Sequence, residues 1–276
     1  MRTFGPVKLF LQVTILLIFC PQVHAADAET STSYLTGGFG IEQLTYKEQI
    51  PDLELDTSDT ELLNRVLYLD GQKGLQKFFV GTRGQIPLST DKAQEQWNRR
   101  GVFEQADTLT YKWTRISVRG GYFLNRLLNP YTGINWGYAV QKRSNFKNVN
   151  TPDTTNFTAT EEVNAFSAIL GIQGGIPVTR KWSFSYFAEY MLPFHSTITN
   201  NNLPGWEATD VGGYTISLTG VLHYAFSEKV SAVLQVTGGR QHWEGSDWSM
   251  IGDSRVKWPE NNTDFISGIV SISRNF

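Results

Sequence analysis

The sequence predicts an all-β fold, a closed antiparallel transmembrane β-barrel, and three observations carry that prediction. Beyond residue 25 no stretch stays apolar for the roughly 20 residues that a membrane-spanning helix needs. Any spanning structure must therefore be made of strands whose backbone groups satisfy one another. Extended segments alternate strictly: in "WSFSYFAEYML" from Trp182, the even positions Trp182, Phe184, Tyr186, Ala188, Tyr190 and Leu192 share one face, and the odd positions from Ser183 to Met191 share the other. The connections alternate too, with three polar residues between Phe226 and Val230 or between Val178 and Trp182, and long polar stretches from Asn145, His195 and Glu244.

Composition narrows the class. The chain has 276 residues, a formal net charge of −2, 25 glycines and one cysteine. No basic stripe appears, so no nucleic-acid partner is expected. Residues 1–25 read as a cleaved secretory signal: Arg2 and Lys8 precede the apolar run "LFLQVTILLIFC", and "PQVHA" ends in a Val-x-Ala pattern at Val23 and Ala25. Cys20 belongs to that segment, and its neighbours Phe19 and Pro21 suit lipoprotein processing poorly. Residues 26–276 then form one domain without cysteine, which leaves no disulfide, thiolate chemistry or cysteine-based metal site; no cofactor is expected.

A secreted β-sandwich would also alternate. Three features favour the barrel. Aromatics gather at the strand ends of the apolar face, at Trp182, Tyr214, Tyr224 and Phe226; the connections differ strongly in length; and the chain stops on Phe276 within the strand "DFISGIVSISRNF". In that strand Ile266, Gly268, Val270, Ile272, Arg274 and Phe276 share a face. With its leader, dyad-repeat strands and terminal aromatic, the chain resembles the Gram-negative outer-membrane β-barrel superfamily. The resemblance covers residues 26–276 as architecture and singles out no subfamily. It implies an outer-membrane location, contact with outer-membrane lipid and lipopolysaccharide, and recognition of the last strand and Phe276 by the barrel-assembly machinery. Arg274 departs from the apolar face, but a lipid-facing Arg costs only about 0–1 kcal/mol near the interface.

Strands are counted back from a C-terminus at the periplasmic end. Segments 264–276, 214–226, 164–178 and 110–123 descend; 230–243, 182–193 and 131–143 ascend; 34–48 ascends as the first strand. The segment 75–88 is read as descending because it echoes "AILGIQGGIPV", and parity then demands the poorly patterned 94–105 as an ascending strand. The prediction is ten strands, or eight if 75–88 and 94–105 are both loop. Ser58 and Glu61 fit a capping box before Leu62, Leu63, Val66 and Leu67, which predicts a short amphipathic helix in the first loop. The acidic cluster Asp52, Glu54, Asp56, Asp59 and Glu61 there lacks the spacing and glycine of a calcium loop and reads as solvated.

Eight to ten strands leave an interior filled by side chains. The inferred inward face holds Glu42, Lys77, Arg83, Arg115, Arg119 and Glu189, of mixed sign, which predicts an ion-pair network in the lumen or, as the sharper alternative, a narrow conduit. Weak catalytic candidates sit at the outer rim: His242 with Glu244, Asp247 and Asp253 could form an acid/base site, and His195 beside Ser196 could activate a hydroxyl. His223 reads as a hydrogen-bonded lumen residue. The leading expectation is a non-enzymatic envelope or surface protein that binds or passes small molecules; the alternatives are a rim-site hydrolase of protease or lipid A deacylase type and a narrow porin.

Overall fold

The computed structural model describes residues 33–148 and 155–276. The signal-peptide expectation for residues 1–25 lies outside them. Ten long antiparallel strands among the described residues form a ring: β1 (Tyr34–Ile50), β2 (Thr60–Leu75), β3 (Phe78–Thr90), β4 (Val102–Tyr122), β5 (Asn129–Asn148), β6 (Thr155–Pro177), β7 (Trp182–Asn200), β8 (Gly213–Ala225), β9 (Val230–Trp243) and β10 (Glu260–Asn275). Each pairs with its sequence neighbours, and β1 pairs with β10 from Tyr34↔Asn275 to Gln49↔Glu260, which closes the ring. No α-helix occurs among the described residues.

Closure needs small residues at the seam. Gly38 and Gly40 face the lumen on β1, and a Cβ on Gly40 would run into the backbone carbonyl oxygen of Gly268 on β10. Glycine is used because the closing strand passes so near.

Outside, the barrel carries a continuous apolar band. Phe39, Ile41, Val118, Ile134, Leu170, Leu218, Leu234, Val236, Ile266, Val270 and Ile272 are all exposed. A soluble monomer rarely exposes more than a few hundred Å² of contiguous apolar surface, so this girdle is a hydrocarbon-facing surface. Aromatic rings border it at both heights. Near the chain termini Trp182 meets Tyr224 at 4.8 Å and Phe78 meets Tyr122 at 5.1 Å. Near the opposite rim Trp136 stacks on Tyr138 at 6.0 Å and Tyr190 on Tyr214 at 6.2 Å. Phe276 and Arg274 are exposed beside the first belt, the guanidinium 5.4 Å from the ring. The short turns and Phe276 lie at one end of the barrel, and the long connections at the other.

The structure corrects the reading of residues 58–105. Thr60–Leu75 is a 16-residue strand, β2, and not a helix. Leu62, Leu63, Val66 and Leu67 satisfy a helical period, yet the longer run Thr60, Leu62, Asn64, Val66, Tyr68, Asp70 and Gln72 is buried at every second position, and the pairing with β1 follows that period. Segment 75–88 consequently ascends as β3. Segment 94–105 does not span; it is divided between the short strand Ala93–Arg99 and the start of β4. Ala93–Arg99 pairs with Leu55–Thr57, and the two extend the sheet between β1 and β4 above the ends of β2 and β3. The stretches from Asn145 and His195 are largely strand too, because the barrel wall continues beyond the apolar band, where neither face needs grease.

Replacing Gly40 by valine should block the seam. The variant is expected to lose the compact, heat-modifiable band that a folded barrel gives on a gel, and an unchanged band would contradict the close passage at Gly268.

Candidate functional site

The strand period delivers every second residue to an enclosed interior, and the sequence places charges there in three layers. In the layer nearest the short turns, Arg119 donates to both oxygens of Asp70 at 2.9 and 3.2 Å, and Arg83 donates to Asp70 at 3.4 Å and to both oxygens of Glu189 at 3.1 and 3.2 Å. Tyr68 donates to Asp70 at 3.1 Å, and Tyr131 to Glu189 at 2.7 Å. Phe187 lies under both guanidinium groups, 4.4 Å from Arg83 and 5.0 Å from Arg119. Two cations face two anions, so the layer is neutral. A buried charge without such partners would cost several kcal/mol.

The middle layer repeats the device with one pair. Arg115 binds Glu42, which also accepts from Gln85 at 2.7 Å. The Arg115 guanidinium rests 4.2 Å from the Trp113 ring and 4.9 Å from that of Phe265. Of the six residues expected to form the lumen network, five are therefore in ion pairs; Lys77 stands apart, exposed in the turn between β2 and β3. Asp70, the missing anion, lies on β2, a strand the sequence reading did not count.

The third layer was not anticipated. Arg143 on β5 donates to Glu48 at 2.7 Å, to Glu95 at 2.7 Å and to Glu161 at 3.5 Å. Glu95 stands directly across from Asp107 in the strand pairing, so four carboxylates surround one guanidinium. This hub lies above the lipid band: Lys47, Lys112 and Lys142 occupy the outer surface at or below its height. Burial pushes the Glu48 carboxyl up to about 8 and the Asp107 carboxyl up to about 7, with Glu95 adding repulsion to both and Arg143 opposing it.

Between and above these layers the interior is aromatic. Tyr46, Tyr111, Trp113, Trp206, Trp243, Trp258 and Phe265 pack with Leu44, Leu62, Leu109 and Ile198 into one buried cluster. The outer connections interlock over it. Trp206 donates its indole N–H to Ser249 at 2.8 Å; Trp248 and Lys257 both donate to Asp52, at 3.0 and 3.2 Å. These donors hold the exposed Asp52 carboxyl below the usual range. Trp258 is 1% exposed, driven into the mouth by a hairpin made of Ser249–Ile251 and Ser254–Val256. Among the described residues, interior cavities of about 50 Å³ lie beside Arg83, Arg115 and Glu189 and of about 20 Å³ beside Trp113, Gln141 and Trp258. Each has room for one to a few waters.

The rim candidates do not converge. His242 faces outward, with Nδ1 3.0 Å from the Asn262 side-chain oxygen and its ring 5.3 Å from Tyr214. Glu244 lies against Gly212 at the end of β9, Asp247 is exposed in the following loop, and Asp253 is at the hairpin tip. No hydrogen bond or ion pair joins any two of the four among the described residues. His195 and Ser196 point apart: Ser196 is buried and accepts from the Val211 N–H at 2.8 Å, while His195 is exposed and meets Asp210 at 2.9 Å. His223 lies 3.2 Å from the Ser185 hydroxyl on the lumen side. No group of three or more potential ligands able to hold a metal ion occurs among the described residues.

No family model matches the chain, and no curated protein matches it in sequence. Solved structures do match in fold. The outer membrane protease OmpT from Escherichia coli superposes with a TM-score of 0.60 at 9% identity, over 91% of this chain and 100% of that one. The transport unit of the autotransporter AIDA-I from Escherichia coli gives 0.40 at 11% identity, covering 97% of each chain. The translocator domain of the autotransporter NalP from Neisseria meningitidis gives 0.37 at 11%, over 99% of this chain and 97% of that one.

The Arg143 hub should make the outer barrel pH-sensitive. Raised carboxyl values mean that the folded state holds protons the unfolded chain releases near pH 4, where Glu48 and Asp107 ordinarily titrate at 4.5 and 3.8. The contribution is complete below that range and is lost as pH rises through about 7 to 8. The temperature at which the compact form converts to the unfolded band is expected to fall between pH 5 and 9, with Asp107→Asn flattening the fall. A rise over that interval would contradict the assignment.

Proposed function

From the premise that the chain is a closed barrel of the outer-membrane type, we propose a non-conducting, non-enzymatic surface protein of the cell envelope, whose work is done by its lipid-facing wall and interlocked outer connections. The observation that carries this reading is the filled lumen. Three ion-pair layers and an aromatic plug occupy it, and the cavity of about 50 Å³ beside Arg83, Arg115 and Glu189 has room for a few waters. An open aqueous channel needs about 16 strands. Against the porin alternative, a solute would have to break the Arg143 hub and displace Trp258 together.

Against the hydrolase alternative, no hydrogen bond or ion pair joins the acid and base candidates among the described residues, and general acid–base work needs them within hydrogen-bond reach of one substrate atom or of a shared water. The likeness to a protease at 9% identity concerns fold alone.

Planar-bilayer recording separates the readings. The refolded protein is expected to give no single-channel steps, and reproducible steps in the native protein would replace the sealed barrel with the porin. Turnover of peptide or lipid A substrate that disappears in His242→Ala would restore the hydrolase.

A further inference from the structure

The periplasmic rim is strongly one-signed. Lys77, Arg126, Arg180, Lys181, Lys229 and Arg274 are exposed there, and among the described residues the single acidic side chain beside them is Glu228. None of the six takes part in an ion pair among the described residues. At the opposite end Lys47, Arg65, Arg99, Arg100 and Arg240 each have a carboxylate partner. A rim whose exposed charges are nearly all of one sign is an electrostatic surface that favours anions.

One part of that rim is built to enter lipid. The turn 123–128, "FLNRLL", exposes Leu124, Leu127 and Leu128 around Arg126. It is folded rigidly: the Asn125 side-chain oxygen accepts from the N–H groups of Leu127 and Leu128, both at 2.8 Å. The turn lies back against the outer, hydrocarbon-side surface of β6 and β7. The Arg126 carbonyl accepts from the Gly175 N–H at 2.8 Å, and the Leu127 carbonyl accepts from the hydroxyl of Tyr186, a residue of the lipid-facing row. Gly174 on β6 is buried beneath it, and any Cβ there would run into the Leu127 carbonyl. Three leucines are thus held toward hydrocarbon with a guanidinium between them. The next turn presents Arg180 and Lys181 beside Trp182, with the Lys181 ammonium 5.9 Å from the Tyr224 ring. Apolar stems with cationic heads above an aromatic belt place positive charge at headgroup depth.

The geometry points to a binding site for an anionic phospholipid on the outer wall at β6–β7, its phosphodiester held by Arg126, Arg180 and Lys181 and its acyl chains lying along the leucine wedge and Ile176. This rests on the barrel reading of the chain and goes beyond it by naming a lipid class and a leaflet. Charge selects phosphatidylglycerol over phosphatidylcholine, because the zwitterionic lipid brings its own cation to the same place. Near a surface each such Lys or Arg favours an anionic headgroup roughly fivefold, and the effect fades when salt shortens the Debye length.

Full-length protein refolded into phosphatidylcholine vesicles carrying either brominated phosphatidylglycerol or brominated phosphatidylcholine as the minor lipid tests this. Trp182 fluorescence, isolated as the difference from Trp182→Phe, reports which lipid occupies the site. The expected result is quenching by the brominated anionic lipid at a several-fold lower mole fraction, converging on the zwitterionic value in molar salt and in the triple variant Arg126→Ser, Arg180→Ser, Lys181→Ser. Replacing Arg126 and Arg180 by lysine should retain the preference. Equal quenching by the two lipids in native protein whose barrel is heat-modifiable would overturn the site and leave the fold standing, as would a preference that survives the triple variant. Absence of the heat-modifiable form would overturn the barrel and the site together.

Discussion

The rest of the structure depends on the pairing of the first strand with the last. Once Tyr34 lies against Asn275 and Gln49 against Glu260, each of the ten long strands has a partner on both sides, and their residues have one of two destinations. Odd-numbered residues of β1 such as Phe39 and Ile41 go to hydrocarbon; even ones such as Thr36, Glu42 and Glu48 go to an interior that side chains must fill. Gly38 and Gly40 make this contact sterically available. The two-fold period of a strand is thereby turned into a membrane protein with a polar centre.

Enclosure decides what the centre can be. Its charges are removed from bulk water, and the low-cost arrangement is a neutral set with bidentate geometry and aromatic walls. The two layers within the lipid band meet that condition: Arg83, Arg115 and Arg119 face Glu42, Asp70 and Glu189. Above the band the rule relaxes: Arg143 is outnumbered by carboxylates, and burial raises those of Glu48 and Asp107. The same density of pairing that stabilises the wall also closes the passage. Sealing is therefore a consequence of how a small barrel satisfies its own interior.

Much of this was legible in the sequence, for a reason that also explains the failures. Where a strand has lipid on one face, as at 182–193, 214–226 and 264–276, hydrophobic contrast is strong and period two stands out. Thr60–Leu75 was obscured because its lumen face carries Leu62, Val66 and Tyr68 while its outer face carries Glu61 and Arg65, so contrast between faces is weak and four leucines and valines mimic a helical stripe. With that strand lost, Asp70 was lost as the partner of Arg83 and Arg119. The Arg143 hub was hidden differently. Glu48, Glu95, Asp107 and Arg143 lie where the wall leaves the lipid band, so alternation no longer marks them, and only strand register brings them together. Register is the property that one sequence states least.

The seam itself is open to direct measurement. Thr36 and Ser273 are register partners inside the barrel, with hydroxyl oxygens 2.9 Å apart. Cysteines at these two positions, in a chain whose Cys20 is replaced by serine, should form an intramolecular disulfide nearly completely in the heat-modifiable species, since directly paired residues sit within disulfide reach. A Thr36→Cys, Ser271→Cys pair, two residues out of register, should cross-link poorly. Preferential bonding of the displaced pair, or no bond in the folded protein, would contradict the closed ring from which the lumen, the lipid face and the sealed passage all follow.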